Sequence, residues 1–304
     1  MKKGGLWILF GFILYIVGIG VFFTNRIMFL KKKEDEFIWQ REVGAKRISP
    51  QALQQLPQSK IKVSSPFGYE LDCLFVHPYP YNKWMIFCHG ITENKYNSVK
   101  YMNLFIERGF NAIIYDHRRH GLSGGKTSSY GHYEKWDLKA VIDELKKREG
   151  VDVQFGIHGE SMGAVTALLY GGTIADDPAF YIVDCPFSDF TDQLKHRLKV
   201  DFKIPSPLVL PIADAFLKLR EGYTFKEVSP ISSIKQIQKP ILFIHSASDD
   251  FILADMTRSL YEQKQGPKQL FIASKGVHAQ SLNENMKEYE EAVDEFLVQY
   301  GKMH

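Results

Sequence analysis

Hydrophobic positions change their spacing along this chain, and the changes divide it into segments. Leu6 to Phe23 is almost purely apolar and carries no charged side chain. A helix needs about 20 such residues to cross the hydrocarbon of a bilayer. The apolar core of a cleaved leader is shorter, roughly 7–15 residues, and ends in a small-residue site of the A-x-A kind, which is missing here. The pattern predicts an uncleaved transmembrane anchor over residues 1–30. Lys2 and Lys3 precede the run, and Arg26, Lys31, Lys32 and Lys33 follow it. By the positive-inside rule the count tilts the following domain towards the cytoplasm. Residues 31–58 are rich in charge, with Phe37, Ile38 and Trp39 interspersed, and read as a juxtamembrane linker that is either solvated or laid as a helix on the headgroups.

From Ile61 onward, short apolar runs alternate with amphipathic ones. Ile61–Ser64 and Glu70–Val76 flank a Pro66-Phe67-Gly68 turn, which predicts a hairpin. Trp84–Cys88 is continuously apolar, as in a strand covered on both faces. Asn111–Tyr115, Gln154–His158, Phe180–Val183, Pro240–Ile244 and Gln269–Ile272 predict further strands. Helices are predicted over Ser98–Arg108, stopped by Gly109, and over Glu134–Arg148, stopped by Gly150. In the second, Leu138, Val141, Ile142 and Leu145 recur at helical spacing. Ala164–Tyr170 reads as a buried helix. Ser281–Tyr300 reads as one terminal helix, with a Ser281/Glu284 capping box and a buried stripe of Met286, Tyr289, Val293 and Phe296. Strands alternating with helices predict an α/β class, a mostly parallel sheet with helices on both faces, in one domain over 59–304. Residues 186 to about 230 break the rhythm with Pro186, Pro205, Pro207 and Pro211 and many apolar side chains, among them Phe187, Phe190 and Leu208. They predict a short helical cap whose underside forms the substrate pocket at the strand ends.

Composition narrows the function. The 304 residues are 45% hydrophobic and 24% charged, enough for one large core, and the net charge is +3. That charge, with no basic-aromatic stripe, argues against nucleic acid as a partner. Cys73, Cys88 and Cys185 all lie in or beside apolar runs and read as buried thiols, neither a disulfide framework nor a zinc site. Unpaired thiols fit the cytoplasm. No metal or cofactor is implied.

The chemistry centres on Gly159-Glu160-Ser161-Met162-Gly163, set between a strand-like and a helix-like run. This is the nucleophile-elbow pattern, in which a serine is forced onto a sharp strand-to-helix turn. A serine hydroxyl needs a base, and an imidazole titrating near neutrality suits that role. The base on such a sheet follows the nucleophile and the acid in chain order. Three histidines follow the cap, and of these His304 is terminal and His245 precedes the expected acid. His278, between the last strand and the last helix, is the expected base. Asp249 and Asp250 both lie after the Ile241–Ile244 run, and Asp184, ending an earlier strand, is a second conceivable acid. The backbone amides of Met162 and of Ile91, in His89-Gly90-Ile91-Thr92, are the expected oxyanion donors, with His89 supporting that loop. Asp116–Gly124 holds metal-capable side chains but reads as a structural turn.

With these residues in place, the chain resembles the α/β-hydrolase superfamily over about residues 61–300. It looks most like the membrane-anchored bacterial branch of serine aminopeptidases and monoacylglycerol lipase-like enzymes. The resemblance rests on His89-Gly90 after a strand, D-x-R-x-H-G-x-S at Asp116–Ser123, the elbow, and the late Gly276–His278 loop. Relatives carry the acid in an H-G-x-x-D frame, here His245-Ser246-Ala247-Ser248-Asp249, so the resemblance implies Asp249 over Asp250. Ser246 stands where glycine is usual, as do Arg119 for glycine and Leu253 for proline. The implied function is a serine hydrolase with a Ser161-Asp249-His278 triad that cleaves small-molecule carboxylic esters, with hydrophobic acyl groups suggested by the cap and the lipid anchor. A short-peptide aminopeptidase, a thioesterase and a non-catalytic membrane-bound binding module are the alternatives.

Overall fold

The computed structural model describes residues 3–301; Lys2 and His304 lie outside them. The chain opens with α1 (Lys3–Met28), α2 (Asp35–Gly44) and α3 (Pro50–Gln55), then β1 (Gln58–Ser64), β2 (Glu70–Val76) and β3 (Lys83–Cys88). There follow α4 (Val99–Glu107), β4 (Asn111–Tyr115), α5 (Glu134–Glu149), β5 (Gln154–Glu160), α6 (Met162–Thr173) and β6 (Phe180–Asp184). The cap contains α7 (Phe190–Arg197) and α8 (Leu210–Glu221), and α9 (Pro230–Ser233) leads back to β7 (Ile241–Ser246). The chain ends with α10 (Ala254–Gln263), β8 (Lys268–Ala273), α11 (Ser281–Glu284) and α12 (Met286–Tyr300).

The strands form one sheet in the order β1-β2-β4-β3-β5-β6-β7-β8. β1 and β2 pair antiparallel, as does β2 with β4, and every pair from β4 to β8 is parallel. Side chains alternate across a strand, so β3 sends Trp84, Ile86 and Cys88 to one face and Met85 and Phe87 to the other. The first face is covered by Leu138, Val141 and Leu145 of α5 and Ala164 and Leu168 of α6. The second is covered by Met102 and Phe105 of α4 and Tyr289, Val293 and Phe296 of α12. Burial on both sides is why these strands read as unbroken apolar runs. Each fully buried Phe or Ile contributes roughly 1.5–3 kcal/mol of transfer free energy.

Two segments depart from expectation. The terminal helix is broken at Asn285, whose backbone leaves helical angles (φ −141°, ψ 47°). Ser281 caps nothing: it is buried, and its hydroxyl donates to Asp184. Met286 is exposed and does not join the stripe. Residues 31–58, expected as a linker either solvated or laid as a helix on the headgroups, form α2 and α3, and these pack on the sheet domain. Ile38 is fully buried, and the Trp39 ring meets Tyr96 at 5.0 Å.

One described helix, over Trp7–Met28, is long and apolar enough to cross a membrane. Its upper part is exposed, whereas its foot is built into the protein. Ile27 and Met28 are buried with Leu210, Ala213 and Leu217 of the cap. Gly20 lies flush against Phe216, so close that a Cβ there would fall 2.3 Å from the ring. Arg220 donates to Asn25 at 2.7 Å and to Thr24.

Candidate active site

The strand order reverses around β3, and the loops leaving the C-terminal ends of β3, β5, β7 and β8 converge there. Such a crevice is where open α/β sheets bind ligands. Ser161 follows β5 directly and is held at φ 55°, ψ −115°, a region costly for a residue with a side chain, about 1–3 kcal/mol. The surroundings enforce it. The Ser161 amide donates to the Asp184 carbonyl at 2.8 Å, tying the turn to β6. Gly159 and Gly163 permit the turn by packing backbone on backbone. A Cβ at Gly159 would lie 2.4 Å from the Gly163 carbonyl oxygen, and one at Gly163 would lie 2.0 Å from that of Cys88.

The structure brings Ser161, His278 and Asp249 together. The Ser161 hydroxyl lies 2.9 Å from His278 Nε2, and His278 Nδ1 lies 2.7 Å from Asp249 Oδ2. Asp249 Oδ1 accepts the amides of Phe251 and Ile252 at 2.9 and 3.0 Å. His245 Nε2 stands 3.1 Å from Oδ2. Burial by itself would raise the Asp249 pKa; the bonds from His245 and His278 outweigh it and hold the carboxylate well below its usual range. With Asp249 ionised, Nδ1 of His278 carries the proton and Nε2 is free to accept one from Ser161.

Asp250 is not part of this array: its side chain is exposed, and its carbonyl accepts from His196 of the cap at 2.8 Å. Asp184 is also apart. One of its oxygens accepts the Ser281 hydroxyl at 2.9 Å and the other has no partner; burial pushes its pKa up to about 6. Ser246, in the place of the usual glycine, meets Ser281 at 3.0 Å and so extends that buried hydroxyl chain.

Met162 opens α6, so its amide is one of the helix's unpaired donors. Ile91 lies across the cleft, lining it together with Ser161. The loop that carries Ile91 is fixed from beneath by two neutral histidines. His89 Nδ1 donates to the Gly90 carbonyl at 2.7 Å while Nε2 accepts from the His117 amide at 3.0 Å. His120 Nε2 accepts the Thr92 amide at 3.2 Å, and Nδ1 donates to the Arg118 carbonyl at 2.8 Å. Burial lowers the two pKa values to about 4 and about 3, respectively. The ring nitrogens of His89, and of His120 in the Asp116–Gly124 turn, are thus spent on backbone, while both ring nitrogens of His117 in that turn lack a hydrogen-bond partner among the described residues. Elsewhere Cys185, Asp249 and His278 offer donor atoms within 4.8 Å of one another, but both His278 nitrogens already serve Ser161 and Asp249.

Other supports were not visible as motifs. Asn285 holds the loop that bears His278: its Oδ1 accepts the Lys275 amide at 3.1 Å, and its Nδ2 donates to the Lys275 carbonyl at 2.9 Å. Glu160, buried beside Ser161, is bound by Asn97 at 3.0 Å, Tyr101 at 2.7 Å and Lys100 at 3.1 Å. The segment after α1 is tied to the Ile91 loop through the Lys33 amide on the Thr92 carbonyl, 3.1 Å. A signal for α2 did exist: Ile38, Trp39, Glu42 and Val43 share one helix face, with a lone carboxylate in the stripe.

Two arms of a cleft meet at Ser161. One, of about 460 Å³, runs between His278 and Gln280 and a wall from the N-terminal segment. The other, of about 70 Å³, runs beneath the cap and is lined by Tyr130, Phe187, Phe190 and Ile252. Leu208, expected at the pocket, is 54% exposed and sits beside Tyr15 of α1, whose hydroxyl reaches its carbonyl at 3.2 Å.

Comparisons with known proteins agree with this architecture. Residues 80–215 match the family described as serine aminopeptidase, S33. "Uncharacterized protein YqkD" of Bacillus subtilis (strain 168) is 49% identical over 283 residues, 93% of this chain and 93% of its own. Among solved structures, esterase Pf2001 of Pyrococcus furiosus is similar at a TM-score of 0.67 and 22% identity, over 83% of this chain and 96% of that one. The esterase EaEST of Exiguobacterium antarcticum is similar at 0.58 and 18%, over 79% and 100%. The sheet, the crevice and the extent of these matches establish that the chain belongs to the α/β-hydrolase superfamily and has the fold of a hydrolase.

Proposed function

We propose that the protein is a serine hydrolase that cleaves carboxylic esters through an acyl-enzyme intermediate. The observation that carries this reading is the continuous pair of hydrogen bonds from Ser161 through His278 to Asp249, 2.9 and 2.7 Å. His278 Nε2 takes the hydroxyl proton as Ser161 Oγ attacks the ester carbon. Asp249 holds the ring in the required tautomer and stabilises the imidazolium. The amides of Ile91 and Met162 face the oxyanion of the tetrahedral intermediate, where fixed donors act on charge as it develops. His278 then gives its proton to the departing alcohol, and water, deprotonated by the same ring, releases the acid.

The apolar arm beneath the cap takes the acyl group, with Phe187 and Phe190 in contact and Leu208 remote. An aminopeptidase would hold a free amine with a free carboxylate. The carboxylates along the cleft, Glu42, Glu93 and Glu160, are each paired with a cation. An ester therefore suits the site better. The length and exposure of α1 support an anchor in lipid, with the domain held against the membrane by the foot of that helix.

The test is covalent labelling of the full chain by a fluorophosphonate probe. Wild type labels and hydrolyses short acyl esters, and Ser161→Ala does neither. Equal labelling of the two would overturn the assignment.

A further inference from the structure

The larger arm of the cleft has a chemistry that the triad does not require. Its outer wall comes from residues 30–47, which lie outside the stretch matched to the serine aminopeptidase family. Four cations, Lys33, Arg41, Arg47 and Lys100, line it against three carboxylates, Glu42, Glu93 and Glu160. Their placement is unequal. The carboxylate side chains are 1%, 9% and 3% exposed, whereas Lys33, Arg41 and Arg47 are 39%, 27% and 22% exposed. The carboxylates form a buried second row that positions the cations, and the cations form the surface that a ligand meets. Arg41 bonds Glu93 at 2.8 Å and Asn97 at 3.0 Å, while Arg47 reaches Glu42 through Nε and Nη2. Arg47 Nη1 and the remaining ammonium protons of Lys33 are left without protein partners among the described residues.

His278 fixes which end of a substrate lies here. The ring that protonates the leaving group lines the large arm and not the small one. The alcohol of the ester therefore departs into the cationic arm, and the acyl group sits in the 70 Å³ apolar arm. The second volume admits a short chain only.

We propose that the preferred substrate is a short-chain acyl ester of an alcohol that carries a phosphate group, with the phosphate held by Lys33, Arg41 and Arg47. The forks of Arg41 and Arg47 are spent on Glu42 and Glu93, so each cation offers a phosphate its remaining N–H, and such charge-assisted bonds are the strong ones. The inference rests on Ser161 and His278 acting as described above and adds the identity of the leaving group.

The experiment compares two soluble esters on the full chain in detergent, 1-butyrylglycerol and its 3-phosphate, with butyrate release as the readout. The expected result is a kcat/KM higher by about tenfold or more for the phosphate ester, the size of effect one charge-assisted contact gives. Arg47→Gln and Lys33→Gln each bring that ratio close to one, Arg47→Lys keeps most of it, and Lys139→Gln, at a remote surface cation, leaves it intact. A wild-type ratio near one, or a ratio that survives both glutamine substitutions, overturns the proposal while the hydrolase reading stands. If neither ester turns over and Ser161 resists the fluorophosphonate, both fall. The source of the phosphate is read by inhibition of butyrylglycerol hydrolysis. Free glycerol 3-phosphate inhibiting alone points to a soluble substrate. Phosphatidylglycerol vesicles inhibiting where phosphatidylcholine vesicles do not, in an Arg47-dependent way, points to a lipid headgroup. Inhibition by neither overturns the phosphate assignment.

Discussion

The two sides of the cleft are built by different means. On the sheet side, Ser161 is positioned by backbone: strand register, a strained turn, and glycines pressed onto carbonyls with no room for a methyl group, while buried neutral histidines brace the Ile91 loop. On the N-terminal side, residues 30–47 are positioned by side chains, through ion pairs among Lys33, Arg41, Arg47, Glu42 and Glu93. Backbone packing tolerates almost no change, because an added atom meets another chain segment. Ion-pair packing can be edited one partner at a time. The chemistry proposed above therefore falls in the rigid half, and the proposed choice of leaving group in the half that can be edited.

The largest expected effects break the rigid half. Ser161→Ala is expected to remove esterase activity, a loss of about 10⁶-fold for nucleophile loss in such a triad, with the melting temperature near wild type. Asp249→Asn leaves the geometry but favours the wrong tautomer of His278, and kcat is expected to fall about 10⁴-fold at unchanged fold, read by steady-state kinetics. Gly163→Ala pushes a methyl group into the Cys88 carbonyl, from which it would be 2.0 Å. It should cost both activity and about 1–3 kcal/mol of stability by overpacking, measured by urea unfolding.

Acid separates the two halves. His89, His117, His120 and His158 are buried, His132 is half-buried, and all five have pKa values pushed below their usual 6.5 by loss of solvent, to about 4 and about 3 for His89 and His120. Unfolding lets them take up protons, so the stability they contribute is present above pH 6.5 and is lost as pH falls towards their folded values. Asp137 and Asp184, raised to about 6 by burial, act in the opposite sense, since they hold protons in the fold that the unfolded chain releases above its ordinary 3.8. Five histidines outweigh two carboxyls, leaving a net uptake of about three protons on unfolding near pH 5. Stability should therefore fall with acidification from pH 6.5 to 4.5. Over that range Glu93 stays ionised: burial opposes this, but Arg41 and Lys33 hold its pKa down. Chemical denaturation at stepped pH checks the slope, and a flat profile contradicts it.

The smallest expected effect lies outside both halves. Gly20→Leu wedges α1 away from Phe216. It should loosen the cap from the helix, seen as faster proteolysis within residues 198–209, while turnover of a short soluble ester changes less than about twofold, as for a change remote from the reacting atoms.

Legibility in the sequence followed locality. The strands were readable because burial on both faces leaves unbroken apolar runs, and the elbow because Gly159, Ser161 and Gly163 answer to one local turn. The break at Asn285 was not readable. Met286 matches the helical spacing, and the interruption is set by bonds from Asn285 to Lys275, ten residues back. The role of Ser281 was misread for the same reason: a capping pattern is local, whereas its partner Asp184 lies 97 residues away. The docking of residues 31–58 on the sheet domain was not readable because charged side chains imply solvent or headgroups unless their partners are known, and Glu93 lies 60 residues from Lys33.

By itself the sequence determined the α/β class, the strand-bearing segments, the cap, the elbow and the order in which Ser161, Asp249 and His278 occur, since all of these are properties of short stretches and their succession. Only the tertiary structure selected Asp249 by contact over Asp250 and Asp184, placed His89 and His120 beneath the Ile91 loop, and turned a charged N-terminal stretch into one wall of the cleft. Those outcomes depend on which distant groups can satisfy a buried charge or a backbone amide, and such pairing is settled when the chain packs.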